Sequence, residues 1–210
     1  MHYYDVVVIG GGLTGNHAAY LLAKAGLKVA VLEEHSVVGR PWFCTGIVGR
    51  RGFDQFNFPR EFIQQELHSA RFFSPSGSQL HVARQETQAY VLNRSTFDFY
   101  LAEMALKAGA HVLCSSKCSD IEIHVDHVRI RVSEEGINHS LKAGVCLVAT
   151  GVNYALHNRL GLGRPSGFLD SAQVEVGGED FEEVEVYFGH EVSPTSFAWA
   201  VPIGPDRVRI

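Results

Sequence analysis

"VVVIGGGLTGNHAA", residues 6–19, decides the fold. Tyr4 to Ile9 is a mostly β-branched apolar run of strand type, and His17 to Ala25 is an alanine- and leucine-rich helical stretch ended by Gly26. Between them stands Gly10-x-Gly12-x-x-Gly15, and that context gives the motif its weight. Gly10 permits a tight turn, Gly12 lets backbone amides approach a pyrophosphate, and Gly15 lets the helix pack close to the strand. The helix start, with Leu13, offers partial positive charge to phosphates. Lys28 to Leu32 reads as a second buried strand, and Glu33 follows it 18 residues beyond Gly15. That is near the interval of about 20 at which an acid accepts from an adenosine ribose hydroxyl and disfavours a 2′-phosphate. Strand, helix and strand make a dinucleotide half-site. NAD and FAD share it, so these residues alone do not separate them.

Composition narrows the partners. The chain has 210 residues, 46% of them apolar, and a formal charge of −5, which suits a globular protein with a sizeable core. No cluster of five or more Lys and Arg occurs, so nucleic acid is not expected as a partner. The N-terminus lacks a basic stretch, and no apolar segment approaches the roughly 18 residues of a spanning helix. A cytoplasmic chain is the expectation, with peripheral membrane contact through a loop left open. Cys44, Cys114, Cys118 and Cys146 are irregularly spaced and read as structural free thiols. The eleven histidines are scattered, and His124-x-x-His127 in a probable turn is not read as a metal site.

Further along, residues 36–62 are irregular and rich in Gly, Phe and Arg, too long for an ordinary connection. His68 to Phe73 and Gln79 to Ala83 flank "SPSGS", a hairpin signal, and Gln88 to Leu92 adds a third strand. A helix follows, with Ser95 or Thr96 as its cap and Gly109 as its stop. His111 to Cys114 is a further parallel strand. Ile121 to Val125 and Val128 to Val132 form a meander, and Val145 to Ala149 is an apolar strand. After Leu160 only short strands appear: Ala172 to Val176, Val184 to Phe188, Phe197 to Val201 and the alternating "DRVRI". The expected class is α/β: a Rossmann-like domain over residues 1–165 with an inserted β-meander, then the start of an antiparallel substrate domain over 166–210.

Four stretches in order, "VVVIGGGLTGNHAA", "GRPWFCTGIVG" (39–49), "VLNRSTFDFYLAEMALKAGA" (91–110) and "VCLVATGVNYALHNRLGL" (145–162), resemble the FAD-dependent oxidoreductases of the geranylgeranyl reductase family, relatives of the aromatic hydroxylases. The resemblance covers nearly the whole chain and implies FAD as cofactor, NAD(P)H as a candidate donor and a small apolar, isoprenoid-type substrate. It places Arg94 by the flavin dinucleotide, with Phe97 and Asp98 fixing the helix start. Thr150 and Gly151 fall at the turn near the adenosine side of FAD. Arg40 is implied to meet a phosphate or ribityl oxygen, and Cys44 to face flavin and substrate; inert packing and regulatory oxidation stay open for that thiol. "PTSFAWAVP" (194–202) resembles the family's aromatic substrate wall, making Phe197 and Trp199 substrate candidates.

Departures qualify the resemblance. Thr150-Gly151 stands where many aromatic hydroxylases carry Asp-Gly, which weakens a hydroxylase reading. Phe197 replaces the usual Tyr, and Val201 the usual Phe. The family's later Gly-Asp motif, which holds the ribityl chain, does not occur, so a C-terminally truncated chain is expected. A nucleotide-binding module without turnover and an NAD-dependent dehydrogenase are the competing functions. Oligomeric state is not legible.

Overall fold

A computed structural model of the chain describes residues 3–42, 44–177 and 181–210. Met1 and His2, used above to judge the N-terminus, lie outside the described residues, as does Phe43. The chain opens with β1 (Tyr3–Ile9), α1 (Leu13–Lys24) and β2 (Val29–Leu32). The stretch read as irregular contains β3 (Ile47–Gly49), α2 (Arg50–Gln55) and a 3₁₀ turn at Arg60–Phe62. Next come β4 (Ile63–Leu67), β5 (Ser69–Phe73), β6 (Gln79–Ala83) and β7 (Ala89–Leu92). They are followed by α3 (Arg94–Lys107), β8 (His111–Leu113), β9 (Ser116–Ile123), β10 (Val128–Glu134), β11 (Ile137–Val148) and α4 (Ala155–Arg159). The last strands are β12 (Glu175–Gly177), β13 (Val184–Phe188), β14 (Phe197–Gly204) and β15 (Arg207–Arg209). They gather into two compact units, Met1–Trp42 with Ser95–Ser166, and Phe43–Arg94 with Gly167–Ile210.

The first unit is built on one six-stranded sheet in the order β8-β2-β1-β11-β10-β9. The four strands β8, β2, β1 and β11 run parallel, and the meander β11-β10-β9 is antiparallel. Alternation along β1 sends Val6 and Val8 to one face and Val7 and Ile9 to the other. Val6 and Val8 pack with Ala19 and Ala23 of α1, Val29 and Val31 of β2, and Ala105 of α3. Val7 and Ile9 pack with Ala30, Leu32, Ile130, Leu141 and Leu156. Burial on both faces explains why the parallel strands read as unbroken apolar runs. Each fully buried Val, Leu or Ile contributes about 1.5–3 kcal/mol.

Several boundaries differ from the sequence reading, among them those of α1, α3, β9, β11, β12 and β14, and two of these have a physical cause. α3 begins at Arg94, so Ser95 and Thr96 lie in its first turn rather than at the cap; Asn93, just before it, is itself a favoured capping type. The strand expected at 145–149 is the end of one continuous strand of 12 residues. Lys142 and Gly144 break its apolar run, but their backbone stays extended: Lys142 pairs with both Arg129 and Tyr3.

The second unit holds a six-stranded sheet, β12-β15-β14-β13-β5-β6, and a three-stranded one, β3-β7-β4. Among the described residues every strand pair of this unit is antiparallel except β5 with β13, which run parallel in the register Phe72 to Val186. Among the described residues no helix is long and apolar enough to cross a membrane.

The tightest packing in the first unit is between α1 and the turn that precedes it. A Cβ on Gly15 would collide with the Gly10 carbonyl oxygen and lie 3.1 Å from its carbon. Gly15→Ala is therefore expected to cost about 1–3 kcal/mol through overpacking, read as a lower urea midpoint with an unchanged slope.

Candidate functional site

The glycine turn is closed on three sides and open on one. Gly10 has a φ of 105°, and a Cβ there would lie 2.9 Å from the Ala149 carbonyl carbon and 3.3 Å from the Thr150 nitrogen. A Cβ on Gly11 would lie 2.9 Å from the Glu33 Cβ. Around Gly12, in contrast, nothing among the described residues lies within 4 Å of where a Cβ would stand. Gly12 is also the N-cap of α1, with no side-chain cap and no acidic residue in the first turn. The first backbone N–H groups of this helix of 12 residues have no partner within the helix, and no side chain among the described residues caps them at Gly12.

Glu33 ends β2 at 9% exposure. Its Oε2 accepts the Gly11 N–H at 2.8 Å, and its Oε1 accepts the His35 backbone N–H at 2.9 Å. His35 Nδ1 lies 2.5 Å from the same Oε1. Asn16 is fully buried in the first turn of α1, donates through Nδ2 to the Gly11 carbonyl, and keeps an Oδ1 with no partner among the described residues. Sequence reasoning missed Asn16 and His35; a buried amide directly after the third glycine is the one signal that pointed to the first of them.

Gly10, Gly12, Leu13, Gly15, Glu33, Thr150 and Gly151 all belong to the first unit. Thr150 follows the strand end at which Ala149 N–H donates to Ile9 O at 2.8 Å, and its hydroxyl donates to the Asn153 carbonyl at 2.7 Å. Gly151 has a φ of 58° and is exposed. Arg40 is exposed in the loop after β2. That loop is tied to α3 at Gly39, where a Cβ would lie 2.7 Å from the Ser95 carbonyl oxygen. Phe97 and Asp98, expected to fix the start of α3, are both buried.

Cys44, Arg94, Phe197 and Trp199 belong to the second unit. Cys44 is exposed, and its Sγ accepts the Gly46 N–H at 3.4 Å. Its loop is secured by Arg209, which is 3% exposed, donates to the Thr45 carbonyl, and pairs with Glu175 at 2.6 Å. The other thiols suit a structural role. Burial pushes Cys118 up to about 11 and Cys146 up to about 12. Cys114 is raised first by burial and then by the nearby Glu33 charge.

Phe197 and Trp199 stand on one face of the larger sheet with Val186 and Phe188 of β13, Phe72 of β5 and Leu80 of β6. Phe72 stacks on Phe188 at 6.4 Å, and Phe197 meets both Phe188 and Trp199 at 6.1 Å. This apolar face is open in part: Leu80 is 62% exposed, and Phe188 and Phe197 are 44% exposed. Trp199 Nε1 is buried with no partner among the described residues. The opposite face is charged, with Arg71 and His81 both on Glu183, at 2.6 and 2.9 Å. Among the described residues no group of three or more His, Cys, Asp or Glu could hold a metal ion.

A family model described as FAD dependent oxidoreductase matches residues 5–153. The chain belongs to this family. Digeranylgeranylglycerophospholipid reductase 2 of Methanothermobacter thermautotrophicus is 33% identical over 99% of this chain and 56% of its own length. The digeranylgeranylglycerophospholipid reductase of Methanocaldococcus jannaschii is 32% identical over 96% of this chain and 53% of its own. A geranylgeranyl bacteriochlorophyll reductase-like structure from Thermoplasma acidophilum superposes with a TM-score of 0.85 at 25% identity, covering all of this chain and 56% of that one. The chain thus spans about half the length of the curated relatives it matches.

The residues of the first unit fit the adenosine and pyrophosphate half of FAD. The uncapped start of α1, the open side of Gly12 and the buried Glu33 carboxylate form a cradle that a side chain at Gly12 would fill. Gly12→Val is accordingly expected to abolish dinucleotide uptake while leaving the circular dichroism spectrum unchanged, since none of the described residues comes within 4 Å of that Cβ. The thiols give a separate check. At pH 8 only about one Cys118 in 10³ and one Cys146 in 10⁴ are thiolate. A disulfide reagent should therefore modify Cys44 before either of them, and Cys44→Ser should remove the fast phase.

Proposed function

We propose that this chain is an FAD-dependent oxidoreductase that passes a hydride or electron pair to an apolar, isoprenoid-type substrate, with NAD(P)H as electron donor. The observation that carries the reading is the open side of Gly12 at the uncapped start of α1, flanked by glycines that the backbone otherwise closes. Residues 1–165 act as the dinucleotide-binding domain and residues 166–210 as the start of a substrate domain. The pyrophosphate lies against the amides of Gly12 and Leu13, with Gly10 and Gly15 giving the turn its close packing. Glu33 accepts from the adenosine ribose, and Thr150 and Gly151 present backbone to the adenosine side. Arg40 and Arg94 balance the phosphate charge, and Cys44 faces the flavin.

FAD supplies the redox chemistry when bound; the protein supplies placement, exclusion of water and electrostatic tuning. The apolar face around Phe197 and Trp199 is a wall suited to a polyprenyl chain, and Trp199 Nε1 is a single donor for an oxygen on it. Two relatives are named as reductases of digeranylgeranylglycerophospholipid, which supports an isoprenoid lipid as the substrate class. A lipid substrate also supports peripheral membrane contact by an otherwise cytoplasmic chain.

Absorbance tests the reading directly. The chain mixed with FAD and freed of excess should be yellow and should bleach anaerobically with NADPH or dithionite. A chain that takes up no FAD would overturn it, and uptake without any reduction or product would favour a binding module. Glu33→Gln places an amide NH₂ against either Gly11 N–H or His35, donor against donor. It should weaken FAD binding by about 1.5–3 kcal/mol, roughly 10- to 150-fold in Kd.

A further inference from the structure

The surroundings of Glu33 go further than its presence. A carboxylate offers about four acceptor positions, two on each oxygen. Both positions on Oε1 are taken by His35, through its backbone N–H at 2.9 Å and its ring Nδ1 at 2.5 Å. A carboxylate only accepts, so this contact is a hydrogen bond in the tautomer that carries the proton on Nδ1. Oε2 holds the Gly11 N–H at 2.8 Å and keeps one position.

The backbone prevents this arrangement from drifting. Glu33 N–H donates to Leu113 O, and Ser116 N–H donates to Glu33 O, each at 2.8 Å. Ser115 N–H donates to His35 O at 2.9 Å. Glu34, between them, turns to Lys117 at 2.9 Å and takes no part. The carboxylate is thus oriented by the glycine turn on one side and by an imidazole on the other.

We propose that His35 is a positioning residue that fills Glu33 Oε1, so that the carboxylate presents Oε2 alone and reads only one of the two ribose hydroxyls. The proposal rests on the reading of the first unit as an adenosine half-site and deepens it by assigning the oxygen that does the reading. The 2′- and 3′-hydroxyls of a ribose are adjacent donors, and a carboxylate free on both oxygens accepts from both. His35 removes that second option and also fixes the angle of the first.

Calorimetric titration of the full chain with ADP, 2′-deoxy-ADP and 3′-deoxy-ADP tests this without requiring turnover. Wild type is expected to bind one deoxy analogue roughly tenfold or more weakly and the other within about twofold of ADP, the loss being one charge-assisted hydrogen bond. In His35→Ala, where the ring's position on Oε1 is released and only the backbone N–H stays, both analogues should lose affinity. His35→Asn, whose amide N–H can stand near the place of Nδ1, should restore the wild-type pattern, a rescue that a merely structural role does not produce. Equal penalties for both analogues in wild type, or a His35→Ala pattern identical to wild type, would overturn the proposal. ADP binding that ignores both hydroxyls removes the Glu33 contact and this proposal while sparing the half-site. Failure of wild type to bind either ADP or FAD removes the half-site reading itself. Matching thermal midpoints among the variants confirm that the half-exposed His35 is not needed for folding.

Discussion

The approach of α1 to its own preceding turn is the constraint on which the first unit depends. With no side chain at Gly15, the helix settles against the Gly10 carbonyl, and its first turn is brought over the end of β1. Everything chemical follows from that distance. The uncapped start of α1 lies at the open side of Gly12, while Gly11 comes within reach of the Glu33 carboxylate. A bulkier residue at Gly15 would lift the helix and separate the acid from the turn it steadies.

The second unit solves a different physical problem. Its larger sheet carries an aromatic and aliphatic row on one face, and on the other ion pairs beside a stacked Phe73 and Tyr187. Arg71 and His81 converge on Glu183 across three strands, tying β6 and β5 to β13 from the charged side. On that side burial, then the Glu185 carboxylate, pushes the Tyr187 hydroxyl up to about 12, so it remains a neutral donor. The aromatic row of Phe72, Phe188, Phe197 and Trp199 is left as a continuous apolar surface.

Much of the first unit was legible because its signals are local. Strand, glycines, helix, strand and acid fall within residues 4–33, and each is set by neighbours a few positions away. The continuous β11 was not legible, since Lys142 and Gly144 interrupt its apolar run and only pairing with β1 and β10 keeps it extended. The parallel pairing of β5 with β13 has no local signature at all, because residues 70–73 meet residues 184–187 from opposite ends of the chain. Likewise the role of Arg209 in holding Thr45 could not be read from "DRVRI", where the arginine looks like an exposed strand position. The motif residues were found, but the groups that orient them, His35 and Asn16, are ordinary in sequence and special only in place.

The β5 to β13 pairing also shapes how the chain is made. During synthesis the β5-β6 hairpin emerges about 100 residues before its parallel partner. At 5–20 residues per second that is an interval of roughly 5–20 seconds. Throughout it, Phe72, Leu80 and Val82 form an apolar strip with no neighbouring strand on the β5 side. The first unit meets the same delay on a different strand: β1 and β2 are made within the first 32 residues, but the second neighbour of β1 is β11, which ends only at Val148.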